Sequence, residues 1–174
     1  MQYEINERSF VFTNLTVTKR LSRLHREFPY TGILSPADAS AVILTNGDGL
    51  YVMQRRDKRP GIFYPGYLGL FGGACEKGED YNQAAVRELR EELSLELTGR
   101  LEFFSQTSLG FEPFGHGRVE RVFFTGTLSN DEVSNIRLGE GAGVELVEVR
   151  QLLTAENVAP YDAFAIWLHC NSSR

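Results

Sequence analysis

The sequence is short of cysteine, of long apolar runs and of any basic excess, and each shortage excludes something. Cys75 and Cys170 are far apart and form no C-x-x-C pair. That speaks against a disulfide framework or a zinc knuckle and fits a reducing compartment. No apolar stretch approaches the roughly 18–20 residues of a membrane span. The opening MQYEINERSF has neither a basic n-region nor an apolar run, so it does not read as a secretory signal. The expected location is the cytoplasm, with no membrane partner. The net charge is −5, and it is unevenly placed. Residues 76–96 hold Glu76, Glu79, Asp80, Glu88, Glu91, Glu92 and Glu96 against Lys77, Arg87 and Arg90, so most of the excess lies there. A surface of that sign repels a phosphate backbone unless cations intervene, and no nucleic-acid partner is expected.

What is present fits one globular unit. The chain of 174 residues, 42% hydrophobic with mixed charges, can bury a sizeable core. Residues 1–36 read as an N-terminal extension carrying a strand (10–17) and a basic amphipathic helix (19–28), and residues 37–174 as the main domain. In that domain strands are expected at 39–45 and 50–56, joined by a hairpin at Asn46-Gly47-Asp48-Gly49, where Asn and Gly tolerate positive φ. A Gly- and Pro-rich loop follows at 60–73, with a short strand at 68–71. Further strands are expected at 100–111, 118–128 and 143–149, and helices at 80–93 and 160–170. Strands outnumber helices, and hairpins coexist with a long helix, so the fold class is α+β with a mixed sheet.

The helix over 80–93 carries the unusual feature. At roughly 100° per residue, Glu88, Glu91 and Glu92 share one edge, while Ala85, Val86, Leu89 and Leu93 form the adjoining apolar arc. Like charges at this spacing cost only about 0.2–0.5 kcal/mol per pair when exposed. A solvated face, with Arg87 and Arg90 relieving the repulsion, therefore explains the helix taken alone. Gly72-Gly73 and Glu79 just upstream favour another explanation. Glycines let backbone approach a ligand closely, and three carboxylates with a glycine carbonyl suit magnesium bridging protein to substrate phosphates.

These residues resemble the Nudix box, G-x5-E-x7-R-E-U-x-E-E-x-G-U with U bulky and aliphatic. Gly73, Glu79, Arg87, Glu88, Leu89, Glu91, Glu92 and Leu95 fall in register, and Ser94 replaces the second glycine. The resemblance implies a Nudix fold, an α/β/α sandwich around a mixed sheet. It implies metal-dependent hydrolysis of a nucleoside diphosphate linked to another group, with Mg2+ or Mn2+ as cofactor. Carried over, Glu91, Glu92 and the Gly73 carbonyl become metal ligands, and Glu88 binds metal or takes a proton from water. Arg87 orients a glutamate, with Glu79 its expected partner. The general base of the family often comes from a later loop, and Glu140 in NIRLGEGAGVE is the leading candidate, ahead of Glu145. Arg118, Phe111, Phe114 and Tyr67 are candidate substrate contacts, by phosphate pairing or base stacking. The substrate class stays open among nucleoside triphosphates, ADP-ribose and nucleotide sugars, and a homodimer is common in such proteins. Two other functions on the same fold remain: a nucleotide sensor without turnover, and a prenyl diphosphate isomerase.

Overall fold

The computed structural model describes residues 36–59, 62–112 and 115–172. The strand expected at 10–17 and the helix at 19–28 lie outside the described residues. Strand β1 (Ala39–Asn46) is central and buried on both faces, which is why it reads as an apolar run rather than an alternation. It pairs antiparallel with β2 (Tyr51–Arg55) through the expected hairpin, Leu44 opposite Val52. The turn chemistry differs from expectation. Positive φ falls on Gly49 (77°), whereas Asn46 acts through its side chain. Its Oδ1 accepts the N–H groups of Asp48 and Leu50 at 3.1 and 2.8 Å, an Asx-type turn.

The sheet continues with β3 (Leu68–Gly69), β4 (Glu102–Gly110), β5 (Arg118–Leu128) and β6 (Gly143–Val147). The strand order is β3-β2-β1-β5-β4, with β6 also on β2. Among the described strands only the β1–β5 pair is parallel, so the sheet is mixed. Because β6 fills one edge of β2 along its length, β1 and β3 must share the other. The chain after β3 therefore runs between the splayed halves of β1 and β2, bridging Phe71 to Val42 and Ala74 to Ala39. That wedge delivers Gly72 and Gly73 to the middle of the sheet.

Helix α1 (Tyr81–Leu93) matches the expected segment. Asp80 caps it, accepting from the Gln83 N–H while the Gln83 side chain accepts from the Asp80 N–H. Its Ala85, Leu89 and Leu93 cover Val42, Leu44, Val52, Phe71 and Phe124 on one face of the sheet. The opposite face packs Ala41, Ile43, Met53 and Phe123 against Leu152 of α3 (Val149–Thr154) and Ile166 of α4 (Pro160–Ser172). The result is the expected α/β/α sandwich. Helices α2 (Asn130–Ser134) and α3 were not expected, since five and six residues are too few for a helical period to register. Helix α3 takes over from Val149, two residues beyond the end of β6. No helix among the described residues is long and apolar enough to cross a membrane.

Candidate functional site

The two glycines are required by close approach. Gly72 has φ 134°, and a Cβ there would overlap the Ser40 carbonyl oxygen and stand 2.7 Å from Ala41 Cα. A Cβ on Gly73 would stand 2.6 Å from the carboxyl carbon of Glu88. Backbone and carboxylate are thus in contact although Gly73 and Glu88 are 15 positions apart in the sequence. The Gly73 carbonyl accepts the Ser40 N–H at 3.0 Å, which leaves it a second lone pair.

Along the acidic edge of α1, Arg87 is the organiser. Its Nε and Nη2 donate to the two oxygens of Glu79 at 2.8 and 3.1 Å, the bidentate geometry suited to guanidinium. Its Nη1 donates to Glu88 at 2.9 Å and to Glu91 at 3.1 Å, and Nη2 also reaches the Ala74 carbonyl at 3.0 Å. The hydrogen bonds from Arg87 hold Glu79 below the usual carboxylate range. Arg90, by contrast, does not relieve the cluster. It turns away to Glu96, at 2.6 Å.

The three glutamates expected to act together differ sharply in environment. Glu91 is exposed and Glu88 half-buried, while Glu92 is only 7% exposed. Burial raises the Glu88 pKa in spite of Arg87, and the charges of Glu91 and Glu140 push it further up. Among the described residues Glu92 has no ion-pair partner. Its Oε1 accepts from Gln54 Nε2 at 2.7 Å and its Oε2 from the Gly72 N–H at 2.9 Å, both neutral donors. Burial therefore prevails and lifts Glu92 to about 7, against the two hydrogen bonds and a distant Arg56 charge.

The loop between α2 and β6 closes over this end of the helix. The Gly139 N–H donates to the Glu92 carbonyl at 2.8 Å and Arg137 N–H to that of Leu93 at 3.2 Å. Glu140 follows directly, exposed, and near enough for its charge to act on Glu88. Glu145 goes elsewhere, pairing with Arg55 at 2.7 Å. The structure thus brings Glu140 toward the acidic edge and takes Glu145 away from it.

The expected substrate contacts are less gathered. Arg118 stands exposed at the start of β5 and turns to Ser108 and Glu112 of its own hairpin, at 3.3 and 3.8 Å. Phe111 lies in the same β4–β5 connection, half-buried, and Phe114 is outside the described residues. Tyr67 packs on Tyr64, ring centroids 5.5 Å apart, and Tyr64 on Tyr161 at the same distance. Sequence reasoning missed Gln54. Its signal was a polar residue at a strand position whose neighbour by alternation, Val52, faces α1.

Among the described residues no three carboxylates, thiols or imidazoles converge as a ready-made metal cage. The donor set nonetheless suits a hard cation. Glu92 is a buried acid whose donors among the described residues are both neutral, beside Glu88 and a glycine backbone, and the ligand atoms these groups offer are oxygen.

A family model described as NUDIX domain matches residues 35–168. The chain belongs to the Nudix family. Nucleoside triphosphatase NudI of Escherichia coli O139:H28 is 33% identical over 82 residues, 46% of this chain and 57% of that protein. Its counterpart from Salmonella paratyphi B is 32% identical over the same shares. The chain thus spans little more than half the length of these relatives. Among solved structures, a MutT protein from Methanosarcina mazei Go1 superposes with TM-score 0.67 at 17% identity, covering 82% of this chain and 99% of that one. The NUDIX domain of Shewanella oneidensis NrtR, complexed with ADP ribose, gives 0.63 at 14%, covering 88% and 98%. At such identities these neighbours establish the Nudix fold.

Proposed function

We propose that this Nudix protein is a cytoplasmic, divalent-metal-dependent pyrophosphohydrolase that cleaves a nucleoside diphosphate linked to another moiety. The observation that carries the proposal is Glu92, a buried carboxylate in the box whose hydrogen-bond donors among the described residues are both neutral. Glu92, Glu91, Glu88 and the Gly73 carbonyl would hold magnesium or manganese. The bound ion would neutralise phosphate oxygens and make water a better nucleophile.

The chain's own residues supply the rest. Glu140 takes the proton of the attacking water, from a loop fixed to α1 by the Gly139 N–H. Glu88, its pKa raised by burial, is the second group able to hold that proton. Arg87 sets the direction of Glu88 and Glu91 and is itself held by Glu79 and the Ala74 carbonyl. Arg118 and Tyr67, with Phe111 and Phe114, are the proposed contacts for phosphate and base. The name of the curated relatives puts nucleoside triphosphates first among substrates, ahead of ADP-ribose and nucleotide sugars.

The test is product release from a panel of nucleoside triphosphates, 8-oxo-dGTP, ADP-ribose and nucleotide sugars, in magnesium or in EDTA, with wild type and Glu92→Gln. Magnesium-dependent turnover of one substrate, lost in the variant, is the expected result. Tight binding of one nucleotide without turnover would replace the proposal with a sensor. For the base, Glu140→Gln is expected to lower kcat by about 10²–10⁴-fold. The KM should change little. A kcat close to that of wild type would move the role to Glu88.

A further inference from the structure

Gln54 occupies a position that should be apolar. It lies on β2 two residues after Val52, on the α1 side of the sheet, and is 5% exposed. Its Nε2 donates to Glu92 Oε1 at 2.7 Å, while the other oxygen takes the Gly72 N–H. Gln54 also supports the loop that carries Glu140. A Cβ added to Gly141 would stand 3.0–3.1 Å from Gln54 Cγ, Cδ and Nε2, so that loop's backbone rests on the amide. The next residue, Ala142, donates its N–H to the Arg55 carbonyl at 2.7 Å, and β6 then pairs along β2 with Val144 opposite Gln54. On the far side of the loop, Gly139 is tied to the Glu92 carbonyl, and a Cβ there would overlap the Glu91 carbonyl oxygen. Glu140 is thus fixed between two glycines, one seated on the helix that bears Glu92 and one on the side chain that holds Glu92.

We propose that Gln54 is a positioning residue that sets the Glu92 carboxylate and the Glu140 loop with a single side chain. The inference rests on the proposed role of Glu92 toward a metal ion. The residue type follows from the task. A leucine or valine at this position would leave Glu92 Oε1 buried without a donor. A lysine or arginine would satisfy the oxygen but neutralise the charge that a cation needs. A neutral amide orients the carboxylate and leaves its charge available. Partners of this kind, one step removed from a metal, typically change metal affinity or activity by about 10–100-fold when lost.

The experiment uses the full chain with Gln54→Met, which keeps the volume and removes the donor, and Gln54→Asn, which keeps the amide but falls one methylene short. Mn2+ alone is titrated and free ion is followed by EPR, and kcat and KM are measured on the substrate found in the panel. Both variants should bind Mn2+ about 10–100-fold more weakly and lose kcat in similar proportion, with KM nearly unchanged. Thermal melts show that each is folded at the assay temperature, and Gln54→Asn carries the test if the methionine variant is not. Unchanged Mn2+ affinity and kcat in the folded variants, with both lost in Glu92→Gln, would reduce Gln54 to packing and leave the hydrolase proposal standing. Unchanged Mn2+ affinity in Glu92→Gln itself would remove the metal role of Glu92, and the inference with it.

Discussion

Replacing Glu92 with glutamine is expected to lower kcat/KM by about 10³-fold or more, on the order of 4 kcal/mol of transition-state stabilisation. The size follows from what the proposed role of Glu92 would lose: a buried charge holding the metal ion, where electrostatic terms are weakly screened. The same substitution should have a second, opposite signature in metal-free protein. Burial moves the Glu92 pKa from 4.5 to about 7. Between those values the folded protein keeps the proton that the unfolded chain releases. Stability in EDTA therefore declines as pH rises from about 4.5 to about 7, by up to about 3 kcal/mol, and stays lower above that. The groups facing Glu92 are Gln54 and the Gly72 N–H, which are neutral, Glu88, which adds to the effect, and Arg56, which opposes it. Urea titrations at pH 5 and pH 8 measure it, and the difference between wild type and Glu92→Gln isolates the one group. The glutamine amide matches only one of the two donors, a cost of about 1–3 kcal/mol. That cost is present at every pH, so the slope rather than the absolute value is diagnostic. Equal slopes in the two proteins would mean that Glu92 does not carry a raised pKa in the folded protein.

The largest stability loss is expected at Asp162→Ala, about 3–5 kcal/mol by urea unfolding. Asp162 sits near the start of α4 and is 1% exposed. One oxygen accepts from Arg121 Nη2 at 3.0 Å and the other from the Leu70 N–H at 3.0 Å. It therefore joins α4 to β5 and to the wedge that leads into Gly72-Gly73. Burial raises its pKa while Arg121 and the Leu70 N–H oppose the rise. Removing the carboxylate leaves a guanidinium with little access to water, still packed over Tyr161 at 4.4 Å but without its anion. It also orphans a buried N–H. Asp162→Asn, which keeps one acceptor, should lose less. A loss near 1 kcal/mol for the alanine variant would show that water enters and solvates Arg121. In either case kcat measured well below the melting temperature should stay near wild type, because Asp162 touches none of the proposed metal ligands.

How much of this was legible in the sequence depends on the distance along the chain between the partners. Helix α1 was readable almost to the residue because its determinants are local: Asp80 caps the first turn, and Ala85, Leu89 and Leu93 repeat at the helical period. Even the departure at Ser94 behaves as the missing glycine implied, since Ser94 takes the left-handed conformation (φ 56°, ψ 32°) at the C-cap. The β1–β2 hairpin and the long strands β4 and β5 were equally local, set by turn residues and alternation. The shared edge of Glu88, Glu91 and Glu92, and the ion pair of Arg87 with Glu79, followed from helix geometry and from the resemblance.

Which glutamate is buried did not follow. Neighbours one or three residues apart on a helix look alike until another element covers one of them, and Glu92 is covered by Gly72 and Gln54, 20 and 38 positions earlier. Arg90 had the same local claim on the cluster as Arg87, and Glu96 took it away. The approach of Glu140, the diversion of Glu145 to Arg55 and the buried bond from the Leu70 N–H to Asp162 each join segments distant in sequence. By itself the sequence determined the family, the order of the elements and the list of candidate side chains, because backbone periodicity and motif spacing are written between near neighbours. Only the tertiary structure decided which carboxylate lies in low dielectric with neutral partners, because burial belongs to whatever the folded chain places around a residue.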